Sequence, residues 1–407
     1  MPTNGARYYN QVIIMLDKPD LIVFSQNLLG GGASFHRNMV ANFPPNFFNI
    51  RCIYLDASEW NGTKPFEVNI NHNDHIFTYG QESQWSMAKR LSKLIPDNEG
   101  AIIANLEQEL IYIDIYRKQR KTVFFICHDA GFLPLAIKYQ SVIDVFIAHN
   151  SSVYTELLTH VKGRSSDIHF IQHGVSIVPL KKQHNEKQVL RLVFLARHYV
   201  FKGIFDLPEI NTHLLDLGVQ AEWTILGDGP DKPELIERTK HLSNFSFDVP
   251  ATTAEVMKVL EKQDIFILPS RADGLPVALL EAMSVGCVPV IANFSEGIKK
   301  VVTADIGYVL PVGKNALFAE KIAELDKDRS QLKLFSDNCV KKVSSEFDIK
   351  KQALKYFELY INYKMLRKEH TKSFNDLLRI ARYRPFVNKV IIKIERLGGK
   401  KRRAESQ

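Results

Sequence analysis

Short apolar runs alternate with amphipathic stretches along most of the chain. The apolar runs have the length and residue types of strands buried on both faces of a parallel sheet. In the first half they are Leu21–Ser25, Arg51–Leu55, Ile76–Tyr79, Ala101–Leu106, Thr122–Cys127, Val142–Ala148 and Ile168–Gln172, with Val12–Met15 as a candidate edge strand. The stretches between them predict helices at Ala33–Asn42, Gln84–Leu94, Glu107–Gln119 and Ser152–Val161. Strands that alternate with helices predict an α/β fold with a covered parallel sheet.

The same alternation restarts after a polar, lysine-containing stretch at 178–188, which is typical of a linker. The strands predicted there are Leu190–Leu195, Ala221–Leu226, Phe245–Val249, Ile265–Leu268, Val288–Ala292 and Gly307–Leu310. Helices are predicted at Phe205–Leu217, Pro233–His241, Thr253–Lys262, Pro276–Val285, Ala316–Leu325 and Gln331–Phe347. The 407 residues therefore predict two doubly wound domains, 1–180 and 181–347, with a site in the cleft between their strand ends.

The stretch Asp264–Phe294 has the most informative pattern. It contains an apolar strand, Ile265–Leu268, then a polar turn, a helix that Pro276 begins, and a second apolar strand. Asp273 and Gly274 therefore fall at the carboxyl end of a strand, where doubly wound sheets collect ligands. The helix N-terminus beside them offers unpaired N–H groups and a positive dipole end, which suit a phosphate.

Two cations, Arg197 and Lys202, follow the strand Leu190–Leu195. A phosphate leaving group gains negative charge as its bond breaks. Fixed cations at a strand end can stabilise that charge without a metal ion. An arginine and a lysine in a loop are more often solvated surface, so the neighbouring elements decide between the two interpretations.

Both segments resemble motifs of the retaining glycosyltransferases of family 4, also known as glycosyl transferases group 1. The family signature is usually Ser-x-x-Glu-Gly-(Phe/Leu)-(Gly/Pro)-x-x-x-x-Glu-Ala-Met-x-x-Gly-x-Pro-Val. The matching positions are Ser270, Gly274, Leu275, Pro276, Glu281, Ala282, Met283, Gly286, Pro289 and Val290. Asp273 stands where Glu is commonest. Residues 196–203 resemble the family's Gly-Arg-x-x-x-x-Lys-Gly, with Ala196 replacing the first Gly, and residues 173–175 (His-Gly-Val) resemble its Asn-Gly-Val.

The resemblance implies the GT-B fold, with two Rossmann-like domains facing across a cleft and a crossover helix, expected at 348–372, that returns to the first domain. It also implies transfer of a hexose-type sugar from a nucleotide-diphosphate sugar to the hydroxyl of a glycan or lipid-linked acceptor. Glu281 would hold the donor ribose, and Arg197 and Lys202 the diphosphate. The sugar would contact Asp273 and the backbone of Gly274, Leu275, Pro276 and Val277. No cofactor and no metal ion are expected, because Asp326 and Asp328 lie at a charged helix end away from any strand end.

The first half offers fewer matching positions. Gly31 and Gly32 match a glycine pair of the family, and glycine there lets the backbone approach a ligand closely. His128 follows a predicted strand at a place where many relatives have a histidine near the transferred sugar. A histidine satisfied locally at a strand end is the alternative. The glycine run also fits part of a dinucleotide fingerprint, with Asp56 as ribose ligand, but Phe35 occupies its third small position.

Charge is concentrated at one end of the chain. Residues 363–407 hold 14 Lys and Arg against 4 Asp and Glu, whereas the other 362 residues hold 39 against 41. A near-neutral body argues against nucleic acid as a partner. Within the predicted tail, 373–407, the stretch Pro385–Leu397 places apolar residues on one helical face and Lys389, Lys393 and Arg396 on the other. This pattern is typical of a helix in an anionic membrane interface, and a final helix docked on the body is the alternative.

Composition sets the remaining expectations. With 45% hydrophobic and 24% charged residues, no run of about 18 apolar residues and no signal-peptide core, the chain is expected in the cytoplasm, peripheral on the inner face of the cell membrane. Cys52, Cys127 and Cys287 lie in apolar segments and are expected to be buried free thiols. Two other functions fit the fold: a non-catalytic GT-B partner that binds nucleotide, for which the shorter Asp273 argues, and a GT-B epimerase or phosphorylase.

Overall fold

The computed structural model describes residues 18–27, 31–57, 70–116, 120–177, 189–295 and 297–392, with backbone alone at 31–34. Within this part of the chain, the strands form two separate parallel sheets. The predicted α/β class is therefore confirmed. The candidate edge strand Val12–Met15, the linker at 178–188 and the tail beyond residue 392 lie outside the described residues.

The first sheet has seven strands among the described residues, in the order β3-β2-β1-β4-β5-β6-β7. They are β1 (Asp20–Gln26), β2 (Asn49–Asp56), β3 (His75–Thr78), β4 (Gly100–Ala104), β5 (Lys121–Cys127), β6 (Val145–Ala148) and β7 (Ile168–Phe170). Ile22 and Phe24 of β1 belong to one hydrophobic cluster, while Leu21 and Val23 belong to another. Since successive strand residues point to opposite faces, both faces of this sheet are buried.

The second sheet repeats the same strand order, β10-β9-β8-β11-β12-β13, within the described ranges. Its strands are β8 (Leu190–Leu195), β9 (Ala221–Leu226), β10 (Phe245–Asp248), β11 (Ile265–Leu268), β12 (Val288–Ala292) and β13 (Tyr308–Leu310). The order reverses between β8 and β11, as it does between β1 and β4. In doubly wound sheets, ligands bind beyond the strand ends at this switch point. Both predicted donor segments follow the two strands that flank it.

Helices cover the two sheets. Those of the first half are α1 (Gly31–Ala41), α2 (Gln84–Ser92), α3 (Glu107–Tyr116), α4 (Leu133–Lys138) and α5 (Ser151–His160). Those that follow are α6 (Leu207–Asp216), α7 (Lys232–Thr239), α8 (Thr253–Leu260), α9 (Val277–Ser284), α10 (Ile298–Val301), α11 (Asn315–Lys327), α12 (Arg329–Glu346), α13 (Ile349–Ile361), α14 (Tyr363–Leu366) and α15 (Phe374–Arg382). Among the described helices, none is long and apolar enough to cross a membrane.

Helix α13 leads the chain back to the first sheet. A parallel bridge between Val175 and Asp348 precedes it. Buried tyrosines then attach the helix: the Tyr356 hydroxyl donates to the Ile171 carbonyl at 2.9 Å, and the Tyr360 ring lies 4.9 Å from that of Phe124. The helix spans Ile349–Ile361, within the crossover segment expected at 348–372.

The predicted tail begins too early, because residues 373–383 dock on the first domain. The Arg379 guanidinium forms a two-point ion pair with Asp114 of α3, at 2.7 and 2.9 Å. Ser141 donates to Asp376 at 2.7 Å, and the Tyr383 side chain is buried. Helix α15 therefore packs on the first domain, while both interpretations of Pro385–Leu397 stay predictions. Residues 385–392 form a further helical stretch in which Phe386 is 80% exposed.

Two local predictions in the first half need correction. Helix α1 begins at Gly31, so Gly31 and Gly32 form its first turn instead of the preceding loop. A short turn at Ala130–Phe132 and helix α4 follow β5 where no helix was predicted. The prediction for the cysteines is confirmed, since the four in the chain are free and buried.

Candidate active site

The loop after β8 and the loop after β11 meet at the switch point of the second sheet. Lys202, in the first loop, forms an ion pair with Asp273 in the second, and both side chains are largely buried. The sequence assigned them to different groups of the donor, the diphosphate and the sugar. In the structure the two charges neutralise each other.

Backbone contacts hold these two loops against each other. Arg271 donates its N–H to the Phe201 carbonyl at 2.7 Å, and Ser270 Oγ donates to the same carbonyl at 3.2 Å. Gly203 has φ of +78°, and a Cβ there would lie 2.3 Å from the Pro269 carbonyl oxygen. Only glycine fits this left-handed position and close approach. The Arg271 guanidinium pairs with Asp206 below the loops. The position of Lys202 is therefore fixed by several independent contacts.

Arg197 lies in the same cleft but is exposed. Its guanidinium stacks over the Tyr199 ring at 5.1 Å and donates to the Tyr199 hydroxyl at 3.2 Å. The turn at 227–230 supports this loop: His198 N–H donates to the Asp228 carbonyl at 2.9 Å. Among the described residues, no carboxylate lies within ion-pair distance of Arg197. Its charge is available to a ligand.

Helix α9 points its N-terminus into the cleft. Pro276 is the extended residue before the helix (ψ 124°) and not its first helical residue, and no side chain caps the first turn. Those N–H groups can receive an anion. About one turn further along, Glu281 is 9% exposed, and burial raises the pKa of its carboxyl group to about 7. A buried carboxylate at this position can accept hydrogen bonds from hydroxyl groups of a ribose.

Replacing Glu281 by glutamine is expected to stabilise the ligand-free protein above neutral pH. The folded protein keeps the Glu281 proton up to about pH 7, whereas the unfolded chain releases it near 4.5. As the pH rises from about 4.5 to 7, the wild type therefore loses stability that the variant keeps. At pH 8 the free energy of unfolding of the wild type is lower than that of the variant by about 3 kcal/mol. Urea unfolding at pH 4 and pH 8 measures this difference. The control is Glu320→Gln, at an exposed position of α11.

The same variant is expected to bind nucleotide about 10-fold to 100-fold more weakly, because a charged acceptor is lost. Calorimetry at pH 8 measures this. Unchanged nucleotide affinity together with unchanged stability would contradict the role given to Glu281.

The first domain reaches the cleft through His128 and Asp129, which follow β5. A Cβ built on Gly274 would lie 2.8 Å from the Asp129 Cβ and 3.3 Å from the His128 carbonyl oxygen. Glycine thus allows the two domains to touch at this point. Burial, together with the charge of Asp273, raises the pKa of Asp129, while Lys202 and the Gly131 N–H oppose the increase. The cleft therefore brings together groups from both domains: His128, Asp129, Lys202, Asp273 and Gly274.

Behind His128 lies a cluster of histidines that the sequence did not predict. Its members are His36, His128, His149 and His173, packed around the Phe35 ring. Burial lowers the pKa of all four, that of His128 to about 4. They are neutral at physiological pH. The four histidines lie far apart in the sequence. The one signal that could have predicted the cluster is their position at the ends of strands and on α1.

The remaining predicted groups lie at structural positions. Asp326 pairs with Arg329, and Asp328 caps α12 by accepting from the Gln331 N–H at 2.9 Å. Neither lies at a strand end. Asp56 of β2 accepts a hydrogen bond from the Asn27 side chain at 2.8 Å within the first domain.

Comparison with known proteins identifies the second domain. Residues 179–342 match the sequence profile of the family described as glycosyl transferases group 1. Over these residues the chain is similar to the group 1 glycosyl transferases. This family region contains both donor segments, from Arg197 to Glu281.

Curated relatives match part of the chain. WcaL of Escherichia coli K12, named for colanic acid biosynthesis, is 32% identical over 152 residues, which cover 34% of this chain and 37% of WcaL. The UDP-Gal:alpha-D-GlcNAc-diphosphoundecaprenol alpha-1,3-galactosyltransferase of Escherichia coli is 29% identical over 108 residues, 26% of this chain and 28% of the enzyme. The chain spans less than half the length of these relatives.

Solved structures match over both domains. Anabaena Alr3699/HepE, in complex with UDP and glucose, superposes with a TM-score of 0.66 at 16% identity, covering 84% of this chain and 99% of HepE. At this identity the likeness concerns the fold. The region that matches the group 1 family, residues 179–342, is thus one half of a GT-B fold, which confirms the predicted architecture.

Proposed function

We propose that the protein is a retaining glycosyltransferase that moves a hexose-type sugar from a nucleotide-diphosphate sugar to an acceptor hydroxyl, in the assembly of a cell-surface polysaccharide or glycolipid. One observation carries the proposal: the loops after β8 and β11 place Lys202, Arg197 and the N-terminus of α9 together at the switch point. These groups are positive or partly positive, and their combination suits a diphosphate.

The proposed mechanism assigns each group one role. The ribose binds Glu281, and the diphosphate binds Arg197, Lys202 and the first turn of α9, with Gly31 and Gly32 facing it from α1. The sugar lies between Asp273 and His128. As the bond to the diphosphate breaks, the Lys202 ammonium group shifts from Asp273 to the leaving oxygen atoms. The acceptor hydroxyl attacks from the same face, and the departing diphosphate takes its proton.

A non-catalytic, nucleotide-binding partner is the second candidate. The ion pair between Lys202 and Asp273 favours it, because that pair withdraws the central cation from a ligand. Asp273 is also one methylene shorter than the glutamate common in the family. Calorimetry against a panel of UDP-, GDP- and ADP-sugars, followed by assay of nucleotide diphosphate release, separates the two candidates. Binding with slow release supports the enzyme, and binding with no release under any condition supports the partner.

No magnesium or manganese ion is expected in the donor site. In the described part of the chain, the groups proposed to receive the diphosphate are two cations and a helix N-terminus, and Asp273 beside them is already ion-paired. Donor hydrolysis should therefore continue in excess EDTA. An activity that EDTA abolishes and that magnesium or manganese restores would contradict this prediction.

The last residues are proposed to bind an anionic membrane surface, where a lipid-linked acceptor would be available. The similar galactosyltransferase of Escherichia coli is named for such an acceptor, a diphosphoundecaprenol. In this chain, Phe386 and Val390 are 80% and 43% exposed, and they precede the most basic part of the sequence. Each Lys or Arg near anionic lipid contributes about 1 kcal/mol.

A chain ending at Arg384 is expected to lose binding to vesicles that contain phosphatidylglycerol. This end point keeps α15, because removing Arg379 would leave the buried Asp114 without its ion-pair partner. It also keeps the contact of Arg384 with the Trp85 ring. Full-length protein should co-sediment with anionic vesicles at low salt and be released at high salt. Equal sedimentation of both chains, or sedimentation insensitive to salt and lipid charge, would exclude a tail anchor.

A further inference from the structure

Three histidines at neighbouring strand ends direct one ring nitrogen each toward a common point. His128 follows β5, His149 follows β6, and His173 lies three residues after β7. His149 Nδ1 is 3.0 Å from His128 Nδ1 and 3.0 Å from His173 Nε2. All three nitrogen atoms lie within 4.8 Å of one another. His149 and His173 are fully or almost fully buried.

Hydrogen bonding alone does not account for this arrangement. A ring nitrogen of a neutral imidazole carries either one hydrogen or one lone pair. His149 Nδ1 can therefore form a good hydrogen bond with one of its two neighbours at 3.0 Å. The other contact is then at best a weak, shared hydrogen bond, and in the remaining tautomers it sets two lone pairs or two N–H groups against each other. Protonating a ring to relieve this is costly, because the cluster is buried.

The outer nitrogen atoms of the cluster are also unsatisfied. His128 Nε2, His149 Nε2 and His173 Nδ1 are buried and have no hydrogen-bond partner among the described residues. An unsatisfied buried polar group costs about 1–3 kcal/mol. Several unsatisfied ring nitrogens in one cluster are unusual in a folded protein. Hydrogen bonds within the protein do not explain why these histidines lie together.

We propose that His128 Nδ1, His149 Nδ1 and His173 Nε2 bind one divalent transition-metal ion, with zinc as the first ion to test. A cation accepts the lone pairs of all three nitrogens, which removes the conflict at His149. With Zn–N bonds of about 2.0–2.1 Å, tetrahedral geometry separates two ligand nitrogens by roughly 3.3 Å, close to the contacts found. Imidazole is a ligand that suits zinc, and the ligating form is the neutral ring.

The metal site shares His128 with the proposed sugar position, but metal binding does not depend on the proposed transferase activity. It ties the ends of three strands together at the edge of the first sheet that faces the cleft. A metal ion on His128 Nδ1 also places the ring proton on Nε2. His128 then presents an N–H donor, a defined partner for a hydroxyl or phosphate oxygen, in a ring that can no longer change tautomer.

Metal content of the full-length protein tests the proposal. Protein purified without a metal-affinity column is stripped with chelator, incubated with excess zinc sulfate, desalted and analysed by plasma mass spectrometry. One zinc ion per chain is expected. Cobalt(II) in place of zinc should give the visible absorption bands of a four-coordinate ion.

Two variants and one control make the result specific. His173→Asn places asparagine in the His-Gly-Val segment, as in the Asn-Gly-Val form common in the family, and should fold. It and His149→Gln are expected to weaken zinc binding by about 100-fold or more, since each removes a direct ligand. His169→Gln is the control, because His169 is a partly buried histidine of β7 outside the cluster, with an unpartnered Nε2. A wild-type protein that retains no zinc, or variants that bind zinc as the control does, would overturn the proposal.

Discussion

Replacing Lys202 with alanine is expected to lower turnover by about 100-fold or more, with donor affinity less affected. The ammonium group would stabilise the leaving diphosphate as its charge grows, so its loss is felt most in the transition state. Its removal also leaves Asp273 without a cation beside Asp129, and the two carboxylates then repel each other. Steady-state release of nucleotide diphosphate from the donor measures the effect.

The control for Lys202→Ala is Lys321→Ala. Lys321 forms an ion pair with Glu324 on helix α11, within the same domain, and makes no contact with the cleft loops. It should keep wild-type turnover. Wild-type turnover in Lys202→Ala would contradict the assignment of the diphosphate to Lys202. It would also contradict the proposed arrangement of the donor.

Replacing Gly274 with alanine is expected to reduce turnover on the order of 100-fold while the melting temperature changes little. The added methyl group would meet the Asp129 Cβ at 2.8 Å, and the domains can avoid this contact by moving apart. A displacement of about 1 Å between reacting groups is enough for such a loss. Gly274 does not have a positive φ, so alanine causes no backbone strain.

Gly80→Ala serves as the matched control for Gly274→Ala, because a Cβ at Gly80 meets nothing within 4 Å. Small-angle X-ray scattering should show a larger radius for Gly274→Ala alone. If Gly274→Ala turns over donor at the wild-type rate, the contact between Gly274 and Asp129 does not belong to the catalytic arrangement.

The sequence predicted the second domain well because its strands are short, continuous apolar runs. The bounds of β8, β9, β11 and β12 agree with prediction at both ends. Strands β11 and β12 are buried at every residue, and β8 and β9 at most of their residues, so the pattern has little ambiguity. The turn residues between them carry the family motif, and the pairing of Lys202 with Asp273 follows once the two loops are adjacent.

The sequence could not predict features that depend on distant contacts. Residues 373–383 were assigned to a basic tail from their charge, but Arg379 pairs with Asp114, 265 positions away. The histidine cluster likewise requires the strand order to bring His149 and His173 beside His128. Helix α4 was missed because it is short and contains Pro134 at its start, so neither its length nor its periodicity is distinctive.

The most direct test of the account is whether the cleft breaks a nucleotide sugar. Wild-type protein, Lys202→Ala and Lys321→Ala should each be incubated with the sugar nucleotide that calorimetry selects, without acceptor and in EDTA, while released nucleotide diphosphate is followed. We predict slow release by the wild type and Lys321→Ala, and about 100-fold less by Lys202→Ala. Tight donor binding with no release by the wild type, before or after addition of lipid-linked acceptors, would contradict a glycosyltransferase and support a nucleotide-binding partner.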